Sequence, residues 1–218
     1  MAGLTQSTIG RKFLMALSAM FLLIFLVIHL SINLISVFSE EGFNAASEFM
    51  GSNPLIQFAM QPVLFAGVIF HFVMGFVLEL KNNAARPVKY AVAKNSGNST
   101  WMSRNMIISG AFILVYLAIH LADFWVPTIS KNYLGAVPTE SDFEHLHAKF
   151  QPLWRVALYV VAFVLLGLHL AHGFQSSFQS IGARHPKYLK CVNTLGTWYS
   201  ILIPLGFIIV AVFHFVTQ

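Results

Sequence analysis

Five apolar runs, each long enough to cross a bilayer at about 20 residues per helix, leave this chain few folds to choose from. They lie near 12–37, 57–80, 104–127, 153–180 and 193–216. In hydrocarbon every backbone N–H and C=O must be bonded within its own segment, so such runs are read as helices. The expected fold is all-α, an integral membrane bundle of five transmembrane helices forming a single domain over 1–218. Only 10% of the residues are charged, against roughly 25% in soluble domains. Prolines at 54, 62, 127, 152 and 186 fall near the ends of the runs as punctuation, and Pro204 lies inside the fifth, where a kink is tolerable. The first run is too long for a signal-peptide core and no small-residue cleavage site follows it, so it is kept as a span.

The connecting segments alternate in charge. Arg11, Lys12, Lys81, Arg86, Lys89, Lys94, Arg104, Arg184, Lys187 and Lys190 fall before the first run, between the second and third, and between the fourth and fifth. The other two segments hold Glu40, Glu41, Glu48, Glu140, Asp142 and Glu144, with only Lys131, Lys149 and Arg155 as basic residues in or beside them. The positive-inside rule puts the N-terminus in the cytoplasm, and an odd number of spans puts the C-terminus outside. The net charge of +5 does not point to nucleic acid, because the basic residues form no stripe with interleaved aromatics. The single cysteine, Cys191, excludes an intrachain disulfide and a cysteine-ligated iron–sulfur cluster.

Histidines inside the apolar runs carry the chemistry. An ionisable group at membrane depth is expensive and is read first as functional. His71 and His169 each open the phrase His-x-x-x-Gly-Phe, with Gly75 and Gly173 one turn further on. A glycine there removes side-chain bulk where a flat, wide ligand would lie, and haem is such a ligand. Ile28-His29-Leu30 recurs as Ile119-His120-Leu121, so the first two spans read as a diverged copy of the third and fourth. Depth sorts the four. At about 1.5 Å per residue, His29 and His120 lie roughly 27 and 24 Å from the inner surface, while His71 and His169 lie in the inner half. Each level takes one histidine from each half of the repeat, the arrangement for two bis-histidine haems stacked across a bundle. A lone histidine bonding across helices is the plainer reading of any single one, and a zinc site would usually bring clustered carboxylates or cysteines. His172 competes with His169 for the inner place, or contacts the haem edge. His214 reads as structural or interfacial, His145 and His147 as part of a solvated outer loop, and His185 as part of a basic cytoplasmic surface.

Four histidines, the phrase ending in Gly173-Phe174, and Ser99-Thr100-Trp101-Met102-Ser103-Arg104-Asn105 together carry a resemblance. The chain resembles the cytochrome b membrane subunit of succinate dehydrogenase and fumarate reductase. Within it, the chain more closely resembles the five-span, two-haem class, and the last segment looks like its Bacteroidetes-type version. The resemblance implies a bacterial inner-membrane location, two haems b, a membrane quinone such as menaquinone as substrate, and a flavoprotein and an iron–sulfur subunit as partners. The iron–sulfur subunit would dock on the cytoplasmic loops, and electrons would pass by the inner and then the outer haem to the quinone. The haem ligands carried over are His29, His71, His120 and His169. Trp101, Ser103 and Arg104 would meet propionates at the cytoplasmic end, and Asp123 and Glu48 are the candidate acids of a quinone site. Some members carry a glutamate where this chain has Gly167, which puts a transmembrane proton path in doubt. The dihaem subunit of a hydrogenase or formate dehydrogenase, and a haem-free helical transporter, remain as alternatives.

Overall fold

The fold comes from a computed structural model, which describes residues 7–84, 106–183 and 185–217. It is all-α, with no strand among the described residues. Five helices are long and apolar enough to span a membrane: Ile9–Phe38, Ile56–Lys81, Met106–Tyr133, Leu153–Ser180 and Pro186–Val216. We number the helices α1 (Thr8–Phe38), α2 (Glu40–Ser52), α3 (Gln61–Ala84), α4 (Met106–His120), α5 (Val126–Tyr133), α6 (Asp142–Lys149), α7 (Leu153–Ser180) and α8 (Pro186–Val216). A single π-helical turn, Ile56–Met60, leads into α3, and another, Leu121–Trp125, joins α4 to α5.

Two helices exceed the apolar runs that announced them. The third span continues to Tyr133 rather than 127, and the fifth begins at Pro186 rather than 193. At the fifth the cause is local chemistry. Pro186 occupies the first helical position, where its missing N–H costs nothing, and His185 Nδ1 accepts the Lys187 N–H at 3.2 Å as the cap. His185 is therefore the N-cap of this helix and remains exposed. The segments expected to be outer loops are also largely helical. Ser39 closes α1 and caps α2, its hydroxyl accepting the Gly42 N–H at 3.0 Å, and Glu40 and Glu41 sit in the first turn of α2, where the helix dipole favours them. Ser141 and Glu144 form a reciprocal capping box on α6. Gly135 and Gly182 end α5 and α7 with positive φ (75° and 81°), a backbone shape that other residues adopt at a cost.

Around the bundle the neighbours run α1–α3, α3–α4, α4–α7 and α7–α1, with α8 against the outside of α7 and α1. Helices α1 and α4 therefore face one another across one diagonal, and α3 and α7 across the other. The exchange of α1 with α4 and α3 with α7 preserves this neighbour pattern, as the sequence repeat demands. Helices α2, α5 and α6 gather at one end, here the cap end; Lys81, Lys187 and Lys190 mark the opposite, basic end. The best-buried core, including Leu30, Phe43, Leu146, Phe150, Tyr159 and Phe207, lies toward the cap end among α1, α2, α6, α7 and α8.

Close approach of α8 depends on small residues, as in other membrane bundles. A Cβ added at Gly196 would fall 2.8 Å from the Phe174 ring, and one at Gly167 would fall 3.1 Å from the Ser200 carbonyl. Pro204 has no N–H to offer Ser200 four residues back, so α8 presents that carbonyl where α7 comes nearest. A glutamate side chain at Gly167 would have to push the two helices apart. Replacing Gly196 with alanine is expected to cost about 1–3 kcal/mol by overpacking the Phe174 ring, read as a lowered midpoint in thermal unfolding of the detergent-solubilised protein.

Candidate functional site: two stacked histidine pairs

Each diagonal of the bundle brings two of the predicted histidines together. His29 of α1 and His120 of α4 have ring centres 5.6 Å apart, nearly perpendicular. His71 of α3 and His169 of α7 are 6.4 Å apart at 64°. All four are half-buried. The pairs occupy separate levels. Ser18, which touches His71, precedes His29 by 11 residues on α1, and Ser109, which touches His169, precedes His120 by the same 11 on α4. At about 1.5 Å per residue the levels stand roughly 16 Å apart.

These serines fix the state of the basic-end pair. Ser18 Oγ donates to the Met15 carbonyl at 2.8 Å and lies 3.2 Å from His71 Nδ1. Ser109 Oγ donates to the Met106 carbonyl at 2.9 Å and lies 3.2 Å from His169 Nδ1. A hydroxyl has one proton. With that proton committed to the backbone, each serine can only accept from the imidazole. His71 and His169 therefore carry hydrogen on Nδ1 and a lone pair on Nε2, the state a metal-ligating histidine held by an outer hydrogen bond adopts.

The surroundings repeat as well. Gly75 lies against the Met15 methyl, and Gly173 against that of Met106, at 3.7 and 3.3 Å from an added Cβ. His29 stacks on Phe25 at 5.3 Å and His120 on Tyr116 at 5.7 Å. Met15/Met106, Ser18/Ser109 and Phe25/Tyr116 all share the 91-residue offset of His29/His120. None of these flanking matches entered the sequence reading, although Met-x-x-Ser placed 11 residues before each histidine was a visible signal. His172 forms no part of either pair; its Nε2 meets Ser176 Oγ at 3.0 Å on its own helix. Trp101, Ser103 and Arg104 lie outside the described residues.

The candidate acids stand differently. Asp123, in the π turn after His120, is buried and turned toward α7. Its carboxylate accepts from Arg155 and from the Tyr159 hydroxyl (2.8 Å), with Lys149 at 3.8 Å. The π turn inserts an extra residue into the helical register, a feature frequent at functional sites. Glu48 is exposed on α2. The other two loop histidines are not solvated. His145 is half-buried, meeting the Asp123 carbonyl oxygen at 2.8 Å and Glu140 at 2.7 Å, and His147 packs inward on His214. Sequence reading missed Arg155 and Tyr159 because their partner is 32 or more residues away on another helix.

Two facing imidazoles suit a flat group ligated from both sides. Metal–imidazole bonds of about 2.0 Å set facing nitrogens about 4 Å apart and ring centres roughly 6 Å apart, close to both observed separations. Unlike His71 and His169, His120 has no hydrogen-bond partner for its buried Nδ1. The residues present thus fit haem.

Such a fold and site define a class: a multi-pass helical protein of the b-cytochrome type, with histidines paired across the bundle. A sequence model described as "Succinate dehydrogenase/Fumarate reductase transmembrane subunit" matches residues 80–191, and the chain belongs to that family. It is similar to the succinate dehydrogenase cytochrome b558 subunit of Bacillus subtilis (strain 168), at 26% identity over 156 residues, covering 70% of this chain and 69% of that protein. No solved structure matches. Membership of this family sets aside the hydrogenase, formate dehydrogenase and transporter alternatives. The chain is a membrane subunit of an enzyme complex.

The ion pair at Asp123 has a consequence for stability. Asp123→Ala would leave the Arg155 charge without its buried partner, at a cost of about 3–5 kcal/mol. A thermal unfolding midpoint equal to that of the unsubstituted protein would show that the carboxylate is not a tie between α4 and α7.

Proposed function

We propose that this chain carries electrons across the membrane on two haems b, between an iron–sulfur subunit at the basic end and a quinone at the cap end. The observation that carries the reading is the double serine–histidine bond, Ser18 to His71 and Ser109 to His169, which leaves both Nε2 atoms as lone-pair ligands directed away from their anchors. His71 and His169 would hold one haem, and His29 and His120 the other. When bound, haem held by these histidines would supply reversible one-electron transfer. The chain's own part is to orient four imidazoles, to exclude water with Phe25, Tyr116 and the Met15 and Met106 side chains, and to keep the levels apart.

Charge asymmetry supports the orientation. Arg11, Lys12, Lys81, Lys187 and Lys190 stand at the basic end, which the positive-inside rule assigns to the cytoplasm; Arg86, Lys89, Lys94, Arg104 and Arg184 lie outside the described residues. That face would receive the iron–sulfur subunit and, behind it, the flavoprotein. The acidic cap end would face outward, with Asp123 and Glu48 as acids near the quinone. Asp123 would reach a substrate only by exchanging one of its present partners.

The test is haem stoichiometry. His29→Ala or His120→Ala is expected to remove the haem of the cap-end level and leave the other; His71→Ala or His169→Ala does the reverse, read by reduced-minus-oxidised spectra and redox titration. Equal loss of both haems from every single variant in a folded bundle would defeat the pairing. A finer outcome follows from the serines. Ser109→Ala and Ser18→Ala each remove an outer bond to a ligand, and by analogy with other metal sites weaken haem retention at the basic-end level by about 10–100-fold. The other level keeps its midpoint potential.

A further inference from the structure

The cap end holds a second group of histidines that belongs to neither pair. His214 of α8 has no exposed surface, yet both its ring nitrogens have partners. Nε2 lies 2.9 Å from Ser36 Oγ on α1, and Nδ1 lies 3.3 Å from His147 Nδ1 on α6. Ser36 is itself buried and gives its one hydroxyl proton to the Asn33 carbonyl at 2.6 Å. It can therefore only accept from His214. That places the His214 proton on Nε2 and a lone pair on Nδ1. The bond between the rings then requires a proton on His147 Nδ1, which leaves the lone pair of His147 on Nε2. His147 is half-buried, and no hydrogen bond reaches its Nε2 among the described residues. The Phe143 ring packs on both imidazoles, 6.1 Å from His147 and 5.2 Å from His214, and helps to keep water from between them.

We propose that His147 and His214 form a proton relay through the cap, carrying protons from the outer medium to Ser36 for quinone reduction at this end of the bundle. The relay rests on the cap-end quinone reading given above. Each ring accepts on its outer nitrogen and donates from its inner one, so the resting tautomers are set for uptake. A proton from the medium binds His147 Nε2. The resulting imidazolium passes its Nδ1 proton to His214 Nδ1: one N–H bond breaks, one forms, and His147 is left neutral. His214 now holds the charge, with its Nε2 proton facing Ser36. One rotation of the Ser36 hydroxyl away from the Asn33 carbonyl lets its proton leave for the oxygen of the reduced quinone as the His214 proton replaces it. His214 returns to neutral with its proton on Nδ1, and both rings must then exchange their remaining proton between nitrogens before the next cycle. The position suits this use. Asn33 donates to the His29 carbonyl at 2.8 Å, and Ser36 is seven residues beyond His29, roughly 10 Å along α1.

Other titratable groups near the pair are occupied elsewhere or exposed. On α6, His145 bonds the Asp123 carbonyl and Glu140, and Lys149 faces Asp123. On α2, Glu40, Glu41 and Glu48 are exposed, and α1 and α8 bring no charged group beside the pair. Glu144 sits in the capping box, where the Ser141 N–H and hydroxyl hold its carboxyl below the ordinary 4.5. A lowered carboxyl contributes stability that is fully present above the ordinary value and lost only as pH falls through the lower folded one. Helix α6 therefore keeps its cap throughout an assay at about pH 6–8, where imidazoles titrate.

The test uses the complete complex, solubilised with its partner subunits, and a short-chain naphthoquinone as acceptor. His147→Ala and Ser36→Ala are expected to slow quinone reduction at least about tenfold, the lower range for loss of a proton-transfer group. Succinate oxidation by an artificial acceptor on the partner subunits, and the haem spectra, stay unchanged. Added imidazole restores the rate of His147→Ala, whose site opens to the medium, and not that of Ser36→Ala. Wild-type rates and pH profiles in both variants overturn the relay. If His147→Ala loses its haem spectra, His147→Gln replaces it in the same comparison. Quinone reduction that survives loss of the cap-end haem in His120→Ala falls on the site reading instead. The relay is then decided by nitrogen NMR of the imidazoles: a resting proton on His147 Nδ1 sustains it, and one on Nε2 overturns it.

Discussion

A serine hydroxyl has one proton to give, and where it gives it decides what the neighbouring imidazole can do. In water the choice is free, because solvent takes up whatever remains. Inside an apolar bundle the backbone carbonyl one turn back claims the proton, at Ser18, Ser109 and Ser36 alike. The histidine across the gap must then donate to the serine, and its other nitrogen is left as a base. At His71 and His169 the bonded nitrogen is Nδ1, so the base is Nε2; at His214 the bonded nitrogen is Nε2, so the base is Nδ1. The same constraint thus leaves the free lone pair on Nε2 at one level and on Nδ1 at the cap.

Holding those bonds at length requires helices that cannot drift. Side chains on α8 are small where neighbours press closest, at Gly196 against Phe174 and at Gly206 against Leu30, the residue after His29. The fifth helix contributes a histidine to neither pair. It fixes the axial position of the two helices, α1 and α7, that supply one histidine to each level. Asp123 performs a similar task at the far end, joining α4 to α7 through Arg155 and Tyr159. The helices that carry the paired histidines are thereby clamped by contacts outside the rings themselves.

The helical class and the pairing of His29 with His120 and His71 with His169 were legible in the sequence, because both follow from quantities local to one helix: run length and residue spacing. The unequal offsets of 91 and 98 residues hid little, since each histidine kept its neighbours. What escaped was of two kinds. Serines 18 and 109 drew no attention because serine is ordinary in membrane helices, where it bonds back to the chain. Contacts such as His147 with His214 and Asp123 with Arg155 join residues 67 and 32 positions apart, and no periodicity encodes them. The amphipathic first turns of α8 and the short α2 and α6 were read as loops because their composition is polar. Their helical order comes from caps at Ser39, Ser141 and His185.

The diagonal placement of the pairs bears on how such a protein could arise. Each two-helix half supplies two histidines, one serine and one methionine in matching positions, and both levels lie between the halves. A lone helical hairpin of this kind holds no complete site, but two identical copies, side by side, would hold both. Joining the copies in one polypeptide removes the need for assembly and frees each half to diverge, as the seven residues added between His120 and His169 relative to the first half attest. The symmetric sites would then be the older part of the molecule, with the fifth helix and the one-sided polar cap as later specialisations of a duplicated core.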